Sequence, residues 1–220
     1  MPEKRTTKRP RRSPSFDGGS GAGERAREKI LAAAVQEFGA KGYAGARTAG
    51  IAARAGVNQQ LISYYFGGKQ GLLAELRRRW AATEATLVPG DAGFLEGLSA
   101  YLDATLDNPD WARLVVWQAL GDSRDGSEEL AASTNLRIQA AVERTEKRQQ
   151  AGELTAAVEA RFIVLLTYAL AFAPIALPQL TAAILQVDPL SAEYRQLVRD
   201  ALGELLHSPG AAGGGEGVAG

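Results

Sequence analysis

The chain has no cysteine, one histidine and one methionine in 220 residues. Without cysteine there can be neither a disulfide nor a thiolate metal site. The same absence fits a reducing, cytoplasmic setting. The lone histidine, His207, stands at the edge of a glycine-rich tail, so no histidine-based catalytic triad or multi-histidine metal centre can form. No G-x-x-x-x-G-K-S/T phosphate loop occurs. Carboxylates are plentiful but scattered over helix faces, and nothing isolates a pair. Catalytic residues, metal ligands and cofactors are therefore all expected to be none, and an enzyme is not expected. No run alternates apolar and polar residues for long enough to make a sheet. The basic start, MPEKRTTKRPRR, is not followed by the apolar segment that a secretory signal needs.

What is present is an uneven charge. The formal net charge is zero, yet residues 1–80 carry 16 Lys and Arg against 6 Asp and Glu, and residues 81–220 carry 9 against 19. A basic end on an acidic body suits a polyanionic partner such as nucleic acid. Residues 1–23 hold Gly, Ser, Pro, Lys and Arg with Phe16 almost alone as an apolar residue, which predicts a disordered basic arm. Residues 208–220, SPGAAGGGEGVAG, predict a disordered tail.

Between the tails the pattern is helical, and an all-α protein of about nine helices is expected. Ile30, Leu31, Ala34, Val35 and Phe38 make one apolar stripe on a helix from about 24 to 41, ended by Gly42. Short helices follow over about 48–55 and 58–66, with Thr48 and Asn58 as N-caps. Gly67-Gly68 separates them from a helix over about 69–87, stopped by Pro89. Further helices are expected over about 91–106, over 110–121 behind Asn108-Pro109, and from a Ser127 cap to Gly152. The last two start at Thr155 and at a Ser191 cap and run to about 173 and His207. Four regions result: the basic arm at 1–23, a first helical unit at 24–70, a larger helical body at 71–207 and the tail at 208–220.

The segment Ala55-Gly56-Val57 between two short helices reads as the turn of a helix-turn-helix. The second helix of that motif enters the major groove with its N-terminal residues nearest the base edges. Ile62 and Phe66 share a face with Val57 and should point inward, which leaves Gln59, Gln60, Ser63 and Tyr64 on the opposite side. Glutamine can bond adenine N6 and N7 together. Tyr64 and Tyr65 offer hydroxyls for phosphates. Thr48 and Lys69 stand at helix starts, where free N–H groups favour a phosphate, and Arg47 and Asn58 adjoin those positions. On this local pattern alone, the tyrosines as core residues and the glutamines as solvated surface remain open. A helical interaction module whose basic end meets a protein or membrane surface is the rival reading, and such a general basic surface would bind all duplexes alike.

The stretch Ile30–Leu73, with AAAVQEFGAKGY followed by TAGIAARAGVNQQLISYYFGGKQGLL, strongly resembles the TetR family of one-component regulators. The resemblance implies a homodimer whose C-terminal domain binds a small molecule and then releases DNA. It implies phosphate contacts for Thr48, Tyr65 and Lys69, and groove contacts for Gln59, Gln60, Ser63 and Tyr64. Three positions depart from the family pattern. Ser63 stands where the family usually has Tyr, Leu61 where it usually has a small or hydroxyl residue, and Gly68 where it usually has a capping Ser. Leu61 can make no hydroxyl–phosphate bond.

The rest of the chain carries no motif of that strength. The apolar run from Phe162 through Pro174 to Pro178 spans about 17 residues, short for a membrane crossing, and no membrane partner is expected. A helix apolar on every face is buried, here with one face in the domain and another against a second subunit. The resemblance implies that helices at about 155–173 and 191–206 pair across a two-fold axis. Phe94, Leu98, Tyr101, Trp111, Trp117, Tyr168 and Phe172 are candidates to line a pocket for a mainly apolar effector. The expected protein is a dimeric repressor bound to a palindromic double-stranded DNA operator.

Overall fold

The computed structural model describes residues 20–88, 92–121 and 128–207. The expected basic arm up to residue 19, the glycine-rich tail at 208–220, Pro89 and the Ser127 cap lie outside the described residues. Ten α-helices are present among them, and no strand. The N-terminal set is α1 (Ser20–Gly45), α2 (Thr48–Ala55), α3 (Gln60–Phe66) and α4 (Lys69–Leu87). The body comprises α5 (Phe94–Leu106), α6 (Pro109–Ala119), α7 (Glu128–Gln150), α8 (Ala160–Ala176), α9 (Pro178–Leu185) and α10 (Ala192–Leu206).

Several expected boundaries are corrected. There are ten helices rather than nine, because the apolar run after Phe162 is two helices meeting at a bend of 106°. Pro178 causes this: it lacks an N–H and cannot continue α8, but it fits the first position of α9. The start of α8 lies at Ala160, not Thr155. Residues 155–159 are instead held by tertiary bonds, with Thr155 N–H donating to the Leu206 carbonyl and Gln149 Nε2 donating to the carbonyls of Thr155 and Val158. Residues 20–23, expected to be disordered, form the first turn of α1 and lay Gly23 beside the Tyr65 hydroxyl. Gly42 interrupts α1 with a φ of 67°. Ser191 caps α10 as expected, its hydroxyl accepting from Tyr194 N–H at 3.2 Å.

Two apolar cores follow from the spacing of the side chains. The first gathers Ile30, Ala34 and Phe38 of α1, Ile51 of α2, Ile62 and Phe66 of α3, and Leu72, Leu73 and Leu76 of α4. It also takes Trp111 and Leu114 of α6. The second joins two stripes that repeat every fourth residue: Phe94, Leu98, Leu102 and Leu106 on α5, and Tyr194, Val198, Leu202 and Leu206 on α10. Ile163 and Ala171 of α8 pack between them. Each large aliphatic side chain so buried contributes roughly 1.5–3 kcal/mol.

Within the first core, α6 of the body lies directly on α1. A Cβ at Gly39 would overlap the backbone of Asp110, so only glycine allows this approach. Trp117 Nε1 donates to the Gly39 carbonyl at 3.3 Å at the same crossing. Trp111 stacks on Trp80 of α4, with ring centroids 5.2 Å apart.

Candidate nucleic-acid interface

The turn between α2 and α3 is built by Gly56, which adopts φ 66° and ψ 36°, a left-handed conformation that costs glycine nothing. Gly56 and Val57 N–H groups donate to the carbonyls of Ala53 and Ala52, closing the end of α2. The side chain of Asn58 then accepts from Gln60 N–H at 2.8 Å. Asn58 thus supports the start of α3 from one residue further out than expected: regular helix begins at Gln60, and Gln59 holds the cap position without a side-chain cap bond. Thr48, by contrast, is the first helical residue of α2 and not its cap; Arg47 holds the cap position without a side-chain bond. The Thr48 hydroxyl instead accepts from Gln59 Nε2 at 2.8 Å.

Ile62 and Phe66 anchor α3 in the first core, which turns Gln59, Gln60, Ser63 and Tyr64 outward to solvent. Tyr64 is 78% exposed, far beyond what a core aromatic would show. Tyr65 is half-buried and meets the Tyr64 ring edge-on at 5.0 Å. Arg47 is exposed at the start of α2. Lys69 opens α4 behind Gly68, with its ammonium 4.4 Å from the centre of the Tyr43 ring and 3.4 Å from the Ala44 carbonyl.

Two carboxylates hold this unit together, and sequence reasoning singled out neither. Glu37 is almost fully buried. It bonds Lys41 at 2.6 Å and lies 3.6 Å from Arg54 of α2, so α1 positions the helix-turn-helix through one charge. The Lys41 bond holds the Glu37 carboxyl below the usual range, against the opposing effect of burial. The spacing of Glu37 and Lys41 is a helical i,i+4 pair visible in the sequence, whereas the Arg54 contact arises only from folding. Glu75 on α4 accepts from Arg78 and Arg79 and pairs with Arg27 of α1 at 3.1 Å. Those partners, Arg78 first, bring its carboxyl down to about 2.

In the body, α4 through α8 enclose a cavity of about 220 Å³. Of the seven residues expected around an effector, Tyr101, Trp111, Tyr168 and Phe172 line this space. Phe94 and Leu98 sit in the second core and border a smaller recess of about 100 Å³ that shares Tyr101 and Tyr168. Trp117 lies on the other side of α6, against α1, and does not join them.

No group of three or more potential ligand residues could hold a metal among the described residues. No single helix there is long and apolar enough to cross a membrane.

Comparison with known proteins agrees with this architecture. Residues 30–76 match the family model for bacterial regulatory proteins of the tetR family, and residues 98–203 match a tetracyclin repressor-like C-terminal domain. The HTH-type transcriptional repressor SCO4008 of Streptomyces coelicolor is 32% identical over 160 residues, covering 71% of this chain and 82% of that protein. Among solved structures, SCO4942 of Streptomyces coelicolor, described as a transcriptional regulator, superposes with a TM-score of 0.68 at 26% identity, covering 84% of this chain and 99% of that one. The ketosteroid transcriptional regulator KstR2 of Mycobacterium tuberculosis shares the fold, with a TM-score of 0.62 at 15% identity over 81% of this chain and 91% of its own. With a helix-turn-helix at one end, a helical body at the other and a curated repressor as relative, this chain belongs to the TetR family of DNA-binding transcriptional regulators and is not an enzyme.

Proposed function

We propose that two copies of this chain bind a palindromic operator in the cytoplasm, repress transcription there, and leave when a small molecule enters the body. The observation that carries the DNA reading is the outward row of Gln59, Gln60, Ser63 and Tyr64 on a helix whose opposite face is locked in the core. Such a row can read base edges while Arg47, Thr48, Tyr65 and Lys69 meet phosphates. Repression is carried over from the 32% identical relative.

The dimer reading rests on apolar surface. Phe162 and Leu165 on α8 are 57% and 62% exposed, and Leu197 and Leu205 on α10 are exposed as well. A single chain leaves these uncovered, and two copies related by a two-fold axis can cover each other. The effector reading rests on the cavity between α4 and α8. Its occupant would shift the separation or angle of the two reading heads, so that they no longer fit successive major grooves.

Selection of bound duplexes from a random pool tests the whole reading. Recovery of one inverted repeat supports it, and equal retention of all duplexes would sink it. Release of the recovered operator by a chemically diverse compound set tests the effector.

A further inference from the structure

The chain enters α1 beside the face that reads DNA. Helix α1 begins at Ser20, and a Cβ on Gly23 would come within 3.1 Å of the Tyr65 hydroxyl. Tyr65 belongs to α3 and adjoins the exposed Tyr64. Whatever precedes Ser20 therefore leaves from the flank of the outer helix. Arg25, exposed near the start of α1, adds a cation at the same exit.

Residues 1–19 carry Lys4, Arg5, Lys8, Arg9, Arg11 and Arg12 against Glu3 and Asp17. Such a run calls for a polyanion. Two are at hand: duplex DNA, and the chain's own body, where residues 81–220 hold 19 acidic against 9 basic side chains. Charge density favours the duplex, which carries one negative charge per about 1.7 Å of its axis. The body intersperses its acids with bases along several helices. Near the exit, moreover, Glu28 is held by Arg79, and Glu75 by Arg27 and Arg78.

Reach decides where on the duplex the run can lie. At roughly 3.3–3.6 Å per residue, the eight steps from Ser20 back to Arg12 span up to about 26–29 Å. A duplex turn is about 34–36 Å, so the minor groove flanking a major-groove site lies about half that distance along the axis. The arginines at 9, 11 and 12 reach it. Arginine also suits it, because a guanidinium is less strongly hydrated than an ammonium and gives up water more readily in a narrow groove.

We infer that residues 4–12 form a second DNA-binding element, which lies in the minor groove flanking the site of α3 and inserts Arg9, Arg11 and Arg12. The element reads groove width rather than base edges, so it favours A·T-rich flanks. The inference needs only DNA binding by α3, not the palindrome or the effector proposed above.

The test uses the full-length chain and labelled duplexes that share the core recovered by selection, flanked by A·T runs or by G·C pairs. Affinities are read by fluorescence anisotropy at several salt concentrations. The full chain should prefer A·T flanks about fivefold or more, the low end of what one unfavourable base pair costs. Deleting residues 2–16 should abolish that preference. If three phosphates are no longer neutralised, the slope of log K against log salt falls by about 2.7, and the advantage of the full chain shrinks about fortyfold between 0.05 and 0.2 M salt. Arg9→Lys, Arg11→Lys and Arg12→Lys made together keep the charge. This variant should retain the salt slope and lose the flank preference.

An unchanged slope in the deletion overturns the inference. Tighter DNA binding by the deletion also overturns it, and assigns the arm to the acidic body. A full chain that ignores its flanks, or a triple lysine variant that still prefers A·T, overturns the minor-groove placement. Failure of the operator reading shows separately, as a selection without a common core. Duplexes wholly of A·T or wholly of G·C pairs then carry the same comparison.

Discussion

The side-chain amide of Gln59 donates to the hydroxyl of Thr48 at 2.8 Å, tying the first turn of the outer helix back to the helix before it. The bond divides labour between neighbouring glutamines. Gln59 is held toward Thr48, at a helix start suited to phosphate, while the exposed Gln60 side chain is free to enter the groove. Gln60→Ala should therefore remove discrimination at one or two base pairs in each half-site, about 1–3 kcal/mol against the preferred base. Gln59→Ala should cost affinity on all duplexes with little change of preference. Affinities on the operator and its single-base variants distinguish the two, and an unchanged preference in Gln60→Ala refutes this docking.

Lys69 at the start of α4 lays its ammonium over the Tyr43 ring at the end of α1. Lys69→Ala should weaken specific and non-specific DNA alike and reduce the slope of log K against log salt by about one unit. A change of base preference in this variant would show that Lys69 does not act on the phosphate backbone.

Leu165 stands exposed on α8, whereas its neighbour Leu166 packs against the second core. Leu165→Asp should leave the fold intact and yield monomers in sedimentation equilibrium, because it charges only the face left uncovered. Leu166→Asp should lower the melting temperature as well. A dimer that survives Leu165→Asp unchanged places the subunit contact elsewhere.

Glu75 provides a pH test. Its carboxyl falls from 4.5 to about 2 in the folded chain, and a depressed carboxylate stabilises the fold above its unfolded value. The contribution is complete above about pH 5 and is lost as pH drops toward 2. Glu75→Gln should cost about 1 kcal/mol at neutral pH, allowing for solvent around its arginine partners. Urea melts across that range should show a flatter acid dependence in the variant, and parallel curves would mean that the cluster is energetically idle.

Gly39→Ala should destabilise by about 1–3 kcal/mol, since the new methyl must push α6 off α1. The melting midpoint reads this directly. An unaffected midpoint would mean that the two helices separate without cost.

The helix-turn-helix was legible in the sequence because its signals are local. Gly56 in the turn, Asn58 just ahead of the second helix, and Ile62 with Phe66 on one face all lie within 11 residues of one another. The body was harder to read for the opposite reason. A run that is apolar on every side hides where one helix stops, and the break at Pro178 left α9 unseen. Thr155 looked like a helix start but is bonded to Leu206, 51 residues away. The candidate pocket suffered similarly. Trp111 and Trp117 share a helix, yet one faces the cavity and the other faces α1. Gln118, Arg137 and Glu84 carried no local pattern at all, because they meet at one cavity from three different helices.

The crossing of α1 and α6 at Gly39 and Asp110 has no slack. Elsewhere in a protein, side chains separate neighbouring helices and can change rotamer to absorb a small shift. Here main chain rests on main chain, and Trp117 ties the carbonyl of Gly39 to α6 from the side. A push that reaches α6 has no soft layer in which to dissipate. It leaves as movement of α1, and with it of Glu37 and the helix pair that Glu37 holds.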